Sequence, residues 1–122
     1  MKEFHSLPDG ELEIMQIVWQ EEPPVSRSVI EQSLRKKLAP STVLTFLTRL
    51  CDRGFLSVSH CGRVNLYTPL VSRRDYLAGE SRRMLDRLFG GSLSAFAVSL
   101  SDSGVSKEEL SELQKLLEED AL

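Results

Sequence analysis

The chain has 122 residues, 41% of them hydrophobic and 27% charged, with a formal net charge of −3. These values are typical of one globular domain, or of one small domain with an appended oligomerisation segment, and they argue against a polycationic nucleic-acid coat or an acidic disordered tail. No apolar run approaches the roughly 20 residues that cross a bilayer, and there is no secretory signal, so we expect a cytoplasmic protein without a membrane partner.

Two helices are predicted in the first third of the chain. Residues 6–9 fit a helix start, with Ser6 as the capping residue, and the acidic and proline-rich residues 21–24 end that helix. A second helix is expected from about Ser26. Its predicted inward-facing residues are Val29, Ile30, Leu34 and Leu38.

A third helix and a hairpin follow. The helix is predicted to begin at Pro40 or Ser41 and to end before Gly54, since glycine readily adopts the left-handed backbone of a helix terminus. Residues 55–59 and 64–68 alternate in polarity and flank a glycine-containing turn, which indicates two strands joined as a hairpin. This order is the pattern of a winged helix-turn-helix.

Three further helices are predicted beyond the hairpin. Capping-box patterns begin at Ser72 and Ser106, and a diglycine at 90–91 ends the first of these helices before a short apolar one. The predicted fold is mostly α (α+β), with a two-stranded wing. Residues 1–71 are expected to form a winged-helix DNA-binding domain and residues 72–122 a helical dimerisation domain.

Charge is segregated along the chain. Residues 1–24 carry one basic and six acidic side chains, a net −5, and residues 75–122 carry five and ten, again −5. Residues 25–74 carry nine basic and two acidic side chains, a net +7. The basic charge therefore coincides with the second helix, the third helix and the wing, where an anionic partner would bind.

The third helix has the pattern of a DNA-reading helix. Such a helix packs one face and offers short polar groups to the major groove on the other. A merely solvated face would more often carry Glu, Lys or Gln, because threonine is a poor helix former. The predicted base-reading residues are Ser41, Thr42, Leu44, Thr45, Thr48 and Arg49.

Basic residues flank this helix and predict phosphate contacts, which position a protein on DNA without reading sequence. They are Arg27 at the start of the second helix, Lys36 and Lys37 at its end, and Arg63 at the wing tip. The two lysines also fit a cationic helix terminus favoured by the dipole. Arg63 has no helix end to explain it.

Three segments together resemble the penicillinase-repressor family, the BlaI/MecI/CopY group of bacterial winged-helix repressors. They are residues 7–19 (LPDGELEIMQIVW), residues 41–56 (STVLTFLTRLCDRGFL) and residues 62–71 (GRVNLYTPLV). The resemblance implies a homodimer that binds a palindromic DNA operator and represses transcription until a signal or a protease releases it.

The C-terminal half supports a dimer independently, because its amphipathic helices are too short to bury their leucines alone. A compact monomer with a folded-back tail is the alternative. The predicted dimerisation residues are Tyr76, Leu77, Met84, Leu85, Leu88, Phe89, Phe96, Leu100, Leu110, Leu113 and Leu117.

The chain departs from the family pattern at three points. Some relatives are cleaved at an Asn-Phe bond, whereas Phe96 here follows alanine, and copper-responsive relatives carry Cys-x-Cys motifs that are absent after Cys61. Leu44 stands where several relatives carry a basic residue. The inducing signal is therefore left open.

No catalytic or metal-binding pattern is visible, so we expect neither an enzyme nor a cofactor. The neighbours His60 and Cys61 supply too few ligands for a closed zinc site, and Cys51 is expected to pack as a small apolar residue. The alternative function is a winged-helix protein–protein assembly module whose basic segment meets an acidic partner.

Overall fold

The computed structural model describes residues 5–120. Its elements are α1 (Asp9–Gln20), β1 (Val25–Ser26), α2 (Arg27–Ser33), α3 (Pro40–Asp52), β2 (Leu56–Cys61), β3 (Val64–Pro69), α4 (Arg73–Phe89), α5 (Leu93–Asp102) and α6 (Lys107–Asp120). The predicted class, mostly helical with a small antiparallel sheet, is confirmed. Within the described residues, no helix has the length and apolar content of a membrane span.

Local capping chemistry fixes most helix starts. The hydroxyl of Ser26 accepts a hydrogen bond from Val29 N, and α3 begins with Pro40, whose missing N–H costs nothing at a first helical position. At α6 the predicted capping box forms in both directions between Ser106 and Glu109, at 3.0 and 3.1 Å.

The predicted cap of α1 is wrong, although the helix begins within the predicted residues 6–9. The N-cap position is occupied by Pro8, which makes no side-chain cap, and α1 begins at Asp9. The hydroxyl of Ser6 instead donates to Glu80 Oε1 at 2.6 Å. A hydrogen bond to a residue distant in sequence has replaced the local cap.

The second helix is shorter than predicted. It ends at Ser33, and Leu34 adopts extended backbone, so neither Leu34 nor Leu38 is helical. Both side chains still pack against the core as partly buried residues. Their apolar character predicted burial correctly, but the two residues lie in the segment that connects α2 to α3 and not in a helix.

The wing belongs to a three-stranded antiparallel sheet in the order β1-β3-β2. The hairpin pairs Cys61 with Val64 across a two-residue turn, and β1 pairs Val25 with Tyr67. The predicted two-stranded wing is confirmed, and β1 adds a third strand that the sequence pattern did not indicate. Strand β1 has only two residues, which is too short to show an alternating pattern.

An aromatic cluster joins α1, the base of the wing and the start of α4. The ring of Tyr76 lies 5.7 Å from that of Trp19 and 5.8 Å from that of Phe55. Its hydroxyl accepts a hydrogen bond from Leu7 N at 2.8 Å, and Trp19 Nε1 donates to Val71 O at 2.9 Å. Tyr76 was predicted to line a dimer interface; the structure corrects this, because the ring is buried in this core.

The chain divides into two compact units between Glu80 and Ser81. The first unit holds the core built from α1, α2, α3, the sheet and the start of α4. The sequence pattern predicted a boundary after residue 71. The division lies further along the chain because the first turns of α4 carry Tyr76 into this core.

Candidate nucleic-acid interface

Helix α3 has one packed face and one open face. Val43, Leu47 and Leu50 are fully buried, and they hold the helix against the core of the first unit. The predicted reading residues lie on the opposite side, where Ser41, Leu44, Thr45, Thr48 and Arg49 are exposed and Thr42 is half-buried at the edge. The structure thus brings all six predicted residues to one accessible surface, which we call the α3 open face.

Two hydroxyls of the α3 open face are bonded to the helix itself. Thr45 Oγ1 donates to Ser41 O and Thr48 Oγ1 donates to Leu44 O, each at 2.9 Å. Threonine in a helix commonly makes this bond to the carbonyl four residues earlier. The two side chains are therefore held in defined orientations on the surface.

The N-terminus of α3 carries no side-chain cap. Its N-cap residue is Ala39, whose carbonyl accepts from Thr42 N and Val43 N. Pro40 has no N–H, so this helix start presents Ser41 N and the positive end of the helix dipole. This end of α3 can therefore receive a phosphate group.

The wing tip carries an exposed arginine in a tight turn. Gly62 has a φ of +64°, a conformation that side-chain-bearing residues rarely adopt, and Arg63 follows it at the end of the hairpin. Arg63 is exposed, as are its neighbours Gly62 and Val64. Arg63 is thus available for contact with an anionic partner.

Lys36 and Lys37 lie in the connection between α2 and α3. Because α2 ends at Ser33, the two lysines are not in its last turn, and a favourable helix dipole does not account for them. Both are exposed, and in the sequence they come shortly before the uncapped start of α3. Their charges are therefore exposed and are not explained by a helix end.

Two other arginines are already paired. Arg27 Nε lies 3.0 Å from Glu31 Oε1, and Arg53 Nη1 lies 2.8 Å from Glu11 Oε1. The first pair partly neutralises a residue that we predicted to contact phosphate. Within residues 5–120, no ion pair engages Arg49 or Arg63, so their charges are free for a partner.

Sequence reasoning missed the Glu11–Arg53 pair. The Glu11 side chain is 1% exposed, while that of Arg53 is 39% exposed, so the arginine covers a buried carboxylate. A signal was present: residue 11 falls three, four and seven positions before the buried Ile14, Met15 and Val18, on their helical stripe. The pair ties α1 to the C-terminal end of α3 and so helps to fix the orientation of the reading helix.

The cysteines and histidine of this region form no site. His60 Nδ1 is hydrogen-bonded to Asn65 Oδ1 across the hairpin, and Cys61 is exposed beside it. Burial, and after it the neighbouring Asp52 carboxylate, raises the pKa of the Cys51 thiol. No group of three metal-ligating side chains occurs among the residues that the structure describes.

The second unit exposes much of its apolar surface. Leu85 is its only buried hydrophobic residue among those described, and α5 buries none. Of the other predicted dimerisation residues, Met84, Phe89, Phe96, Leu100 and Leu110 are half-buried, and Leu77 (in the first unit), Leu88, Leu113 and Leu117 are exposed. Three further exposed apolar residues lie outside the predicted dimerisation set: Leu93, Val98 and Leu116.

A reading helix, a preceding helix and a hairpin wing define a winged-helix DNA-binding fold. Comparison with known proteins gives the family: the sequence profile described as Penicillinase repressor matches residues 7–119. The chain belongs to the penicillinase repressor family.

Relatives and solved structures agree with that assignment. The penicillinase repressor of Bacillus licheniformis is 34% identical over 121 residues, covering 98% of this chain and 94% of the relative. The methicillin resistance regulatory protein MecI of Staphylococcus aureus (strain N315) is 24% identical over 115 residues, covering 93% and 94%.

Two solution structures match the winged-helix part, each at 32% identity over 62% of this chain and 94% of the other. One is the DNA-binding domain of the repressor BlaI, with a TM-score of 0.54. The other is monomeric Bacillus licheniformis BlaI in complex with the blaP half-operator, with a TM-score of 0.52. The predicted class, a transcriptional repressor and not an enzyme, is confirmed by the family.

Proposed function

We propose that this repressor acts as a homodimer on a pseudo-palindromic operator and that a signal weakening dimer or DNA binding releases it. In this proposal the α3 open face reads base edges in the major groove. Lys36, Lys37 and Arg63 contact phosphates, and α4, α5 and α6 supply the dimer surface. A cytoplasmic location goes with this role.

The observation that carries DNA reading is the α3 open face, a row of short side chains on a helix whose other face is fully packed. A similarly folded relative, monomeric BlaI, is in complex with a half-operator. A half-site bound by one chain is the expected unit of a two-fold complex on a full operator.

The support for a second copy as partner is the second unit itself. Leu88, Leu93 and Val98 are each more than 60% exposed, and Leu117 is 58% exposed. A single chain leaves these side chains in water, whereas packing against an identical surface removes them from it. The net charge of −5 over residues 75–122 also keeps this half away from phosphates.

Sedimentation of the full chain tests the dimer. Leu117→Glu places a charge on the exposed apolar stripe of α6, and Ser111→Glu adds the same charge to an exposed position on another side of that helix. Burying one leucine contributes about 2 kcal/mol, so losing two in a symmetric interface weakens the dimer by about a thousandfold. The proposal fails if wild type sediments as a monomer, or if the two variants behave alike.

A mobility-shift titration on the protein's own upstream DNA tests operator binding. Specific retention that falls steeply between low and high salt is expected, because basic side chains release counterions from the phosphates. Equal affinity for random duplex at both salt concentrations would contradict the proposal and would favour the protein–protein assembly module.

A further inference from the structure

We propose that Thr45 and Thr48 read the operator through their γ-methyl groups, so that the base pairs they face are recognised by a thymine methyl. This inference rests on the proposed function of α3 as the reading helix. It names the chemistry of the half-site: apolar contact at these two positions, with no hydrogen bond donated by either hydroxyl.

The hydrogen-bonding state of the two hydroxyls is the first argument. A threonine hydroxyl has one proton to donate. In both residues this proton is already given to a backbone carbonyl of α3, at 2.9 Å. Donating this proton to a guanine or thymine acceptor would first require breaking the hydrogen bond within the helix. The new hydrogen bond to the base would only replace the one that was broken.

The geometry of a branched side chain is the second argument. The β-carbon of threonine carries one oxygen and one methyl group, and their staggered positions are linked. When the oxygen lies against the preceding turn of its own helix, the methyl is the branch left for a partner. Both residues are exposed, so neither methyl is covered by the core.

The surroundings of the two methyls are the third argument. Leu44, 41% exposed, lies four positions before Thr48 on the helix surface, and Thr45 lies three positions before it. Residues at these spacings are neighbours on a helix. The three side chains form one apolar patch, which we call the methyl patch, in the middle of the α3 open face.

One base offers the matching group. In the major groove, thymine alone among the four bases presents a methyl, at its C5 position, and apolar side chains contact it. A guanine–cytosine pair offers only donors and acceptors there. The methyl patch therefore favours adenine–thymine pairs in the part of the half-site that it covers.

The experiment uses the full-length protein and a duplex selected by it from random sequences. Each thymine of the half-site is replaced in turn by uracil, which pairs with adenine in the same way and lacks only the methyl. Affinity is measured for wild type, Thr45→Val, which keeps the methyl branch, and Thr45→Ser, which keeps the hydroxyl. Thr48→Val and Thr48→Ser form a second pair. All four change exposed positions, and circular dichroism verifies their folding.

The expected result is a specific pattern. Removing one buried methyl costs roughly fourfold in affinity, so at least one uracil replacement weakens wild-type binding by about that factor. The serine variants lose about fourfold and no longer respond to uracil at the contacted position, whereas the valine variants keep the wild-type response to uracil.

Two results would overturn the inference. One is a loss in the valine variants as large as in the serine variants, which would show that the hydroxyl reads the base. The other is wild-type affinity that no uracil replacement changes. Failure of the underlying proposal looks different, because wild type would then select no sequence over random duplex.

Discussion

Tyr76 lies in the core of the first unit and not at a dimer interface, and point variants of the full chain test this placement. The side chain is 2% exposed, lies within 6 Å of two other aromatic rings (5.7 and 5.8 Å) and accepts a hydrogen bond from Leu7 N. Its neighbour Leu77 is 42% exposed on the same helix. Tyr76→Phe, Tyr76→Ala and Leu77→Ala therefore form a matched series.

The magnitudes follow from what each change removes. Tyr76→Phe leaves the buried N–H of Leu7 without its partner, which costs about 1.5 kcal/mol. Tyr76→Ala also removes the ring and leaves a cavity, for a total of about 4 kcal/mol. With a urea m-value of about 1.5 kcal/mol/M, the unfolding midpoint falls by about 1 M and about 2.5 M. Leu77→Ala changes the free energy of unfolding by less than about 0.5 kcal/mol.

Urea unfolding followed by the fluorescence of Trp19, whose ring lies 5.7 Å from that of Tyr76, measures these shifts. The losses in the Tyr76 variants should be the same at low and high protein concentration, since the contacts lie within one chain. The reasoning is refuted if Leu77→Ala destabilises as much as Tyr76→Ala, or if the effect of Tyr76→Ala grows on dilution, as loss of a dimer contact would.

Three further contacts are each tested by a single variant, one of them with a matched control. Arg53→Met leaves the buried Glu11 carboxylate without its partner and should lower the free energy of unfolding by about 2 kcal/mol, measured in urea. The control is Arg49→Met, in the last turn of α3 and without an ion pair, which should cost under about 0.5 kcal/mol. Equal losses in the two variants would contradict this. Trp19→Phe removes a hydrogen bond to the backbone at the wing exit and should cost about 1 kcal/mol in urea unfolding followed by circular dichroism, because the variant lacks the chain's single tryptophan; an unchanged midpoint would argue against that bond. Arg63→Ala should weaken binding to all duplexes alike and reduce the slope of log affinity against log salt by about 1; a loss confined to one sequence would contradict phosphate contact.

Local signals were sufficient where a structure is set by neighbouring residues. Pro40 and the buried residues at 43, 47 and 50 predicted α3, and its bounds match. Gly62 predicted the hairpin turn, and Ser106 predicted the start of α6. The open face of α3 followed from the same periodicity, because a helix that buries one stripe must expose the other.

Contacts between residues distant in sequence could not be predicted in the same way. Ser6 bonds to Glu80 in place of a local cap, and Tyr76 lies on an amphipathic helix whose pattern does not reveal which surface covers it. Leu34 and Leu38 were correctly expected to be buried, but the helix assigned to them was too long. Periodicity identifies the apolar side of an element, and tertiary packing decides its partner.

The charges of the site likewise could be predicted from the sequence only in part. The basic block at 25–74 was visible in the sequence, but the sequence did not show that Arg27 and Arg53 are held by carboxylates. Arg53 meets a glutamate 42 positions away. Within residues 25–74, fewer basic side chains are therefore available to an anionic partner than the charge count suggested.

Binding stoichiometry on an operator duplex tests the central proposal, a dimeric repressor on a two-fold site, most directly. Full-length protein is titrated, in the analytical ultracentrifuge, into a selected duplex that carries two half-sites and into one that carries a single half-site. We predict two chains bound cooperatively to the full site, and a loss of that cooperativity with Leu117→Glu but not with Ser111→Glu. Independent binding of single chains to each half-site by the wild-type protein would contradict it.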